Sequence, residues 1–145
     1  MSSRITDTFA QDHHRCDHRL AAAESAAKDG DWALMKEAAR ELVEAMERHF
    51  EQEESSLFPA LSERFPGSAS PIEVMCSEHA QMRHLFEDLQ ESVQGQDRTA
   101  YLGILETLHF LVQQHNYKEE SVLYPMADKV LGGRAGDFAE RMADV

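Results

Sequence analysis

The stretch HFEQEESSLFPAL, residues 49–61, decides the fold, because the chain writes it a second time as HNYKEESVLYPMA at residues 115–127. The copies agree at the histidine, at both glutamates, at Ser55 and Ser121, at Leu57 and Leu123, and at Pro59 and Pro125, with Phe58 answered by Tyr124. In each, a His and a Glu stand four residues apart, so on a helix they lie on one face about a turn from each other.

The two histidines that open these copies are 66 residues apart, and the same offset maps much of the chain onto itself without a gap. Asp31 falls on Asp97, Leu42 on Leu108, His13 on His79, Asp12 on Glu78 and Leu20 on Phe86. The chain is therefore an internal duplication, and a site between its halves would be built from two copies of each residue.

Apolar residues recur at three- and four-residue steps almost throughout, which reads as all-α. Helices are expected at about 7–28, 32–64, 71–94 and 98–131, with a tail over 132–145 that either frays or forms a short extra helix. Asp31 and Asp97 are in place to cap the second and fourth, Asp29-Gly30 breaks the first, and Ser70-Pro71-Ile72-Glu73 is expected to open the third as a capping box. Pro59 and Pro125 should kink or end their helices and form one boundary of a pocket. Four long helices with short loops are expected to pack as one domain, an antiparallel up-down-up-down four-helix bundle with an internal two-fold pseudo-repeat.

A chain of 145 residues can bury a core without disulfides, and its two cysteines, Cys16 and Cys76, together with the lack of an apolar leader or spanning run, suit a soluble cytoplasmic setting. A formal net charge of -13 argues against nucleic acid and anionic membrane as partners.

On every helix the residue that interrupts the apolar stripe is a histidine. The inward polar residues that survive the offset are His13 with His79, His49 with His115, and Glu53 with Glu119. A carboxylate at a bundle centre is costly unless neutralised, and two divalent cations bound by four imidazoles and two carboxylates meet that need. His14, His18, His84 and His109 read as surface residues; His18 and His84 lie five residues beyond a proposed ligand, about 140° round an α-helix. Cys16 reads as a small core residue. Glu54, Glu120 and Asp17 admit two readings, as acceptors that hold an imidazole in place or as solvated helix charge. The apolar tails LFPA and LYPM read as packing that closes one end of the site.

His13, then His49 with Glu53, then His79, then His115 with Glu119, on four successive helices, resembles the hemerythrin-like (HHE cation-binding) domain over about Ile5–Leu131. That resemblance implies a non-haem di-iron centre in a four-helix bundle, with glutamates bridging the irons; zinc or manganese also suit such donors. Two departures separate the chain from the oxygen-carrying members: Arg83 stands where their third helix has a further His, and Glu119 follows His115 by four residues where they have an Asp at five. The four-His, two-Glu set is instead similar to the repair-of-iron-centres proteins, whose additional cysteine-bearing N-terminal segment has no counterpart here. One iron is expected to take His13 and His49, the other His79 and His115, with Glu53 and Glu119 shared, leaving roughly two open positions on each. Whether His84 or Tyr117 adds a ligand stays open. The resemblance points to dioxygen or nitric oxide binding and sensing; reduction of peroxide or nitric oxide with a redox partner protein, and iron delivery or repair, are the alternatives.

Overall fold

The computed structural model describes residues 4–143, and among them every regular element is helical. Of four long helices, α1 (Ile5–Ala26) is joined to α2 (Trp32–Gln52), and α4 (Ala69–Gln94) to α5 (Arg98–Lys118), by a short loop, whereas α3 (Phe58–Arg64) lies between α2 and α4, and α6 (Tyr124–Leu131) and α7 (Ala135–Ala143) follow α5.

Local chemistry explains most boundaries. The Asp31 carboxylate accepts from the N–H groups of Ala33 and Leu34, and Asp97 accepts from Ala100, as their spacing predicts. Gly30 has φ 67°, and the residue 66 positions on, Gln96, has φ 51°, so the duplicated loops share a left-handed residue although only the first copy is glycine. The first helix begins earlier than expected. The Asp128 carboxylate, on α6, accepts from the Ile5 N–H at 2.6 Å and the Thr6 N–H at 3.2 Å, capping α1 from the opposite end of the sequence. The third long helix also opens earlier than the Ser70 reading: a 3-10 turn at Pro66–Ser68 runs straight into Ala69, and Pro71 sits in the first turn, where no N–H is needed.

The prolines end no helix. Before each of them the chain widens into a single π turn, at Glu53–Leu57 and again at Glu119–Leu123, and the helix then resumes as α3 or α6 with the proline in its first turn. Pro59 and Pro125 carry no N–H and crowd the carbonyl four residues back; a wider turn gives that carbonyl room.

Two apolar cores flank a polar layer. One contains Leu20, Met35, Leu42, Phe86, Leu89, Tyr101 and Leu105; the other contains Ile5, Phe9, Leu57, Phe58, Leu61, Leu123 and Tyr124. The tail forms α7 and docks Phe138 and Met142 into the second core, each contributing roughly 1.5–3 kcal/mol by burial. Between the cores lie the buried His13, His49, Glu53, His79, His115 and Glu119.

Candidate metal centre

All six predicted polar stripe residues are brought together. One donor atom from each of Glu53, His79, His115 and Glu119 lies within 4.8 Å of the others, and the same holds for His13, His49 and Glu119. Glu119 belongs to both groups. Its Oε1 is 3.0 Å from His13 Nε2 and its Oε2 is 3.3 Å from His115 Nε2, so one carboxylate spans the two halves. Glu53 Oε1 lies 3.1 Å from His79 Nε2 and 3.6 Å from His49 Nε2.

What aims the four imidazoles is a ring of carboxylates outside them. His13 Nδ1 donates to Glu120 at 2.7 Å, His49 Nδ1 to Asp12 at 2.7 Å, His79 Nδ1 to Glu54 at 2.6 Å and His115 Nδ1 to Glu78 at 2.7 Å. A carboxylate only accepts, so each Nδ1 holds a hydrogen and each Nε2 is presented to the interior. The ring obeys the duplication. Asp12 and Glu78 hold the histidine of the neighbouring helix in their own half, whereas Glu54 and Glu120 reach across to a histidine of the other half.

Of the two readings open for Glu54 and Glu120, the structure thus selects the anchor. Asp17 is exposed and anchors nothing. Asp12 and Glu78 carry a role that the sequence reading leaves unassigned; the signal for it is their position immediately before an inward histidine in both halves.

Cations brace three of these carboxylates. Arg83 grips Glu54 with two bonds of 2.9 and 3.1 Å and donates to Glu47 at 2.7 Å, Lys118 pairs with Glu78, and Arg15 lies 3.2 Å from Asp12. Arg83, at the position of the absent fifth histidine, therefore faces outward as a brace and does not enter the donor layer.

The electrostatics favour positive charge at the centre. Burial pushes the imidazoles of His13, His49 and His115 down, but the facing carboxylates outweigh it: His13 is raised, His49 is well above its usual range and His115 is pushed up to about 9. Glu119 is held well below the usual carboxylate range in spite of burial, chiefly by His115. Four buried atoms, Glu53 Oε1, His79 Nε2, His115 Nε2 and Glu119 Oε2, have no hydrogen-bond partner among the described residues. They come from the four residues of the larger donor group. Unpartnered buried polar atoms are expensive, and a cation between them would satisfy all four. The donor set fits a metal of the imidazole-carboxylate type.

His84 and Tyr117 lie outside the site: the His84 side chain is 81% exposed and Tyr117 is 73% exposed. His14, His18 and His109 are exposed as well. The missed residue is Tyr124, read as packing. Its buried hydroxyl stands inside the donor layer, 2.6 Å from Glu53 Oε2 and 2.8 Å from Glu119 Oε1. Five residues separate Glu119 from Tyr124, which would part them on an α-helix but stacks them across a π turn. Cys16 is a core residue beside the histidines, its thiol pushed up to about 11 by burial.

No curated protein and no solved structure gives a match. The model of one family, the hemerythrin HHE cation binding domain, matches residues 4–127, a span that includes all six inward residues and the four carboxylates that anchor them. On that match, and with a donor layer that could hold a metal ion, the chain belongs to the hemerythrin HHE cation-binding family.

Proposed function

We propose that the protein is a non-haem di-iron protein that binds dioxygen or nitric oxide, with His13, His49, Glu53, His79, His115 and Glu119 as its metal ligands. The observation that carries the reading is the convergence of four anchored imidazoles, Nε2 inward, on two central glutamates. His13 and His49 would hold one ion, His79 and His115 the other, and Glu119 faces both. Iron is preferred to zinc or manganese on the family likeness alone.

Two iron ions would supply electrons and open coordination positions for a small ligand. The chain supplies the surroundings. A cavity of about 10 Å³ lies against His13, His49 and His115, walled by Cys16, Met46, Met82 and Val112. It has room for about one water-sized molecule, and its apolar wall favours an uncharged diatomic over water. Fixing each Nδ1–H on a carboxylate keeps the imidazoles from turning when such a ligand enters.

The short loops that join α1 to α2 and α4 to α5 support the up-down-up-down arrangement, and the net charge of -13 supports a partner other than nucleic acid or an anionic membrane. Among the described residues, no helix is long and apolar enough to cross a membrane.

Metal analysis of protein expressed with ample iron comes first, followed by anaerobic stopped-flow mixing of the reduced protein with dioxygen, nitric oxide or peroxide. A reversible absorbance change with a diatomic supports binding or sensing. Repeated consumption with an external reductant would make the protein an enzyme instead. Protein that takes up no iron, or a His49→Ala variant with unchanged metal content, refutes the assignment.

A further inference from the structure

We propose that Tyr124 is itself a metal ligand, supplying through its phenol oxygen the donor that the His13/His49 side of the centre lacks. The inference rests on the metal reading above and adds a residue to it.

The two donor groups are unequal. One is built from four residues, Glu53, His79, His115 and Glu119, the other from only three, His13, His49 and Glu119. The Tyr124 hydroxyl lies 3.1 Å from His13 Nε2, 3.3 Å from His49 Nε2 and 2.8 Å from Glu119 Oε1, so it touches every donor of the poorer group. With metal–ligand bonds of about 2.1 Å, two ligands at right angles stand about 3 Å apart. The phenol oxygen therefore has the spacing of a neighbouring ligand in the same coordination shell.

A neutral phenol makes poor use of this position. Its single O–H can be given to one acceptor at a time, yet two carboxylate oxygens and two ring nitrogens surround it, Glu53 Oε2 at 2.6 Å being the nearest. A cation among them would bind all the facing donors at once. The duplication supplies the contrast: the position that answers Tyr124 in the other half is Phe58, whose side of the centre already has four donor residues. The aromatic ring is common to both halves, and the hydroxyl appears only where a donor is short.

Binding is a ligand exchange without redox change. The bond from the phenol oxygen to the metal forms as its O–H breaks, and the proton leaves to solvent with those released by the imidazoles. A phenolate bound to ferric iron absorbs visible light by charge transfer, a signature that imidazole and carboxylate ligands do not give.

The test uses the full chain loaded with iron, its iron content measured, then oxidised with ferricyanide and studied by visible absorption and resonance Raman. The expected result is a phenolate-to-iron band with enhanced phenolate ring vibrations, retained in Tyr117→Phe and lost in Tyr124→Phe at comparable iron content. Phe58 shows that a phenylalanine packs at the equivalent place, and circular dichroism checks that Tyr124→Phe is folded. Iron-loaded parent protein without the band, or a band that survives in Tyr124→Phe, overturns the assignment and leaves Tyr124 a hydrogen-bond donor to Glu53 and Glu119. Protein that takes up no iron overturns the di-iron reading, and this inference with it.

Discussion

Replacing Glu54 by glutamine tests whether the outer carboxylates hold the centre together. Glu54 accepts from His79 Nδ1 at 2.6 Å and from Arg83 at 2.9 and 3.1 Å, with its side chain 27% exposed. Glutamine offers one carbonyl oxygen and an NH2 group. Oε2 accepts from both His79 and Arg83 and Oε1 from Arg83 alone, so a glutamine oxygen at the Oε2 place leaves His79 a neutral acceptor and turns the NH2 against Arg83, and at least one charge-assisted bond is lost. Removing such a partner of a ligating histidine costs roughly 10- to 100-fold in metal affinity, about 1.4–2.7 kcal/mol. Glu120→Gln is the internal control. Glu120 anchors His13 at 2.7 Å and is 40% exposed, so water can take over its role, and the expected loss is smaller, no more than about tenfold. Competition titration against a chromophoric chelator gives both affinities, with circular dichroism to check the fold. Glu54→Gln protein that binds metal within about twofold of the parent, or Glu120→Gln as the more damaged variant, would refute the reasoning.

Glu119→Ala should lower metal content at both halves, because this carboxylate belongs to both donor groups, whereas Glu53→Ala should weaken the His79/His115 side more than the His13/His49 side; metal-to-protein ratios separate the two. The metal-free protein should lose stability as pH rises. His115 is raised from its ordinary value to about 9, so its contribution is full below about pH 6.5 and is lost on approaching pH 9, on the order of 3 kcal/mol, with His13 and His49 acting in the same direction. Asp12, Glu54, Glu78 and Glu120 are held below their ordinary values, so their contribution is present above about pH 4.5 and is lost as pH falls through those lower values. Urea midpoints of chelator-treated protein near pH 6 and near pH 9 check the sign. Metal affinity should move the opposite way, rising with pH as protons leave the imidazoles. Asp128→Ala should cost about 1–2 kcal/mol in urea denaturation, because it uncaps the N–H groups of Ile5 and Thr6.

The sequence by itself determined the helices, the duplication and the six inward polar residues. Each of these is a matter of period or offset along one chain: histidines in step with apolar stripes, Glu four after His, and the same spacing repeated 66 residues later. Capping by Asp31 and Asp97 was equally legible, because a cap and its helix are neighbours in sequence.

Tertiary structure decided what depends on residues far apart or on a departure from the regular helix. Asp128 starts α1 from across the bundle, and no local signal at Ile5 announces it. Glu54 and Glu120 had two readings until the opposite half brought His79 and His13 within reach. The five-residue spacing is the clearest case. It separates His84 from His79 on the regular turns of α4, but it joins Tyr124 to Glu119 through the π turn that precedes Pro125. A fixed 100° per residue holds only while every turn is an α turn, and the two π turns, which break this rule, are those that place the central glutamates.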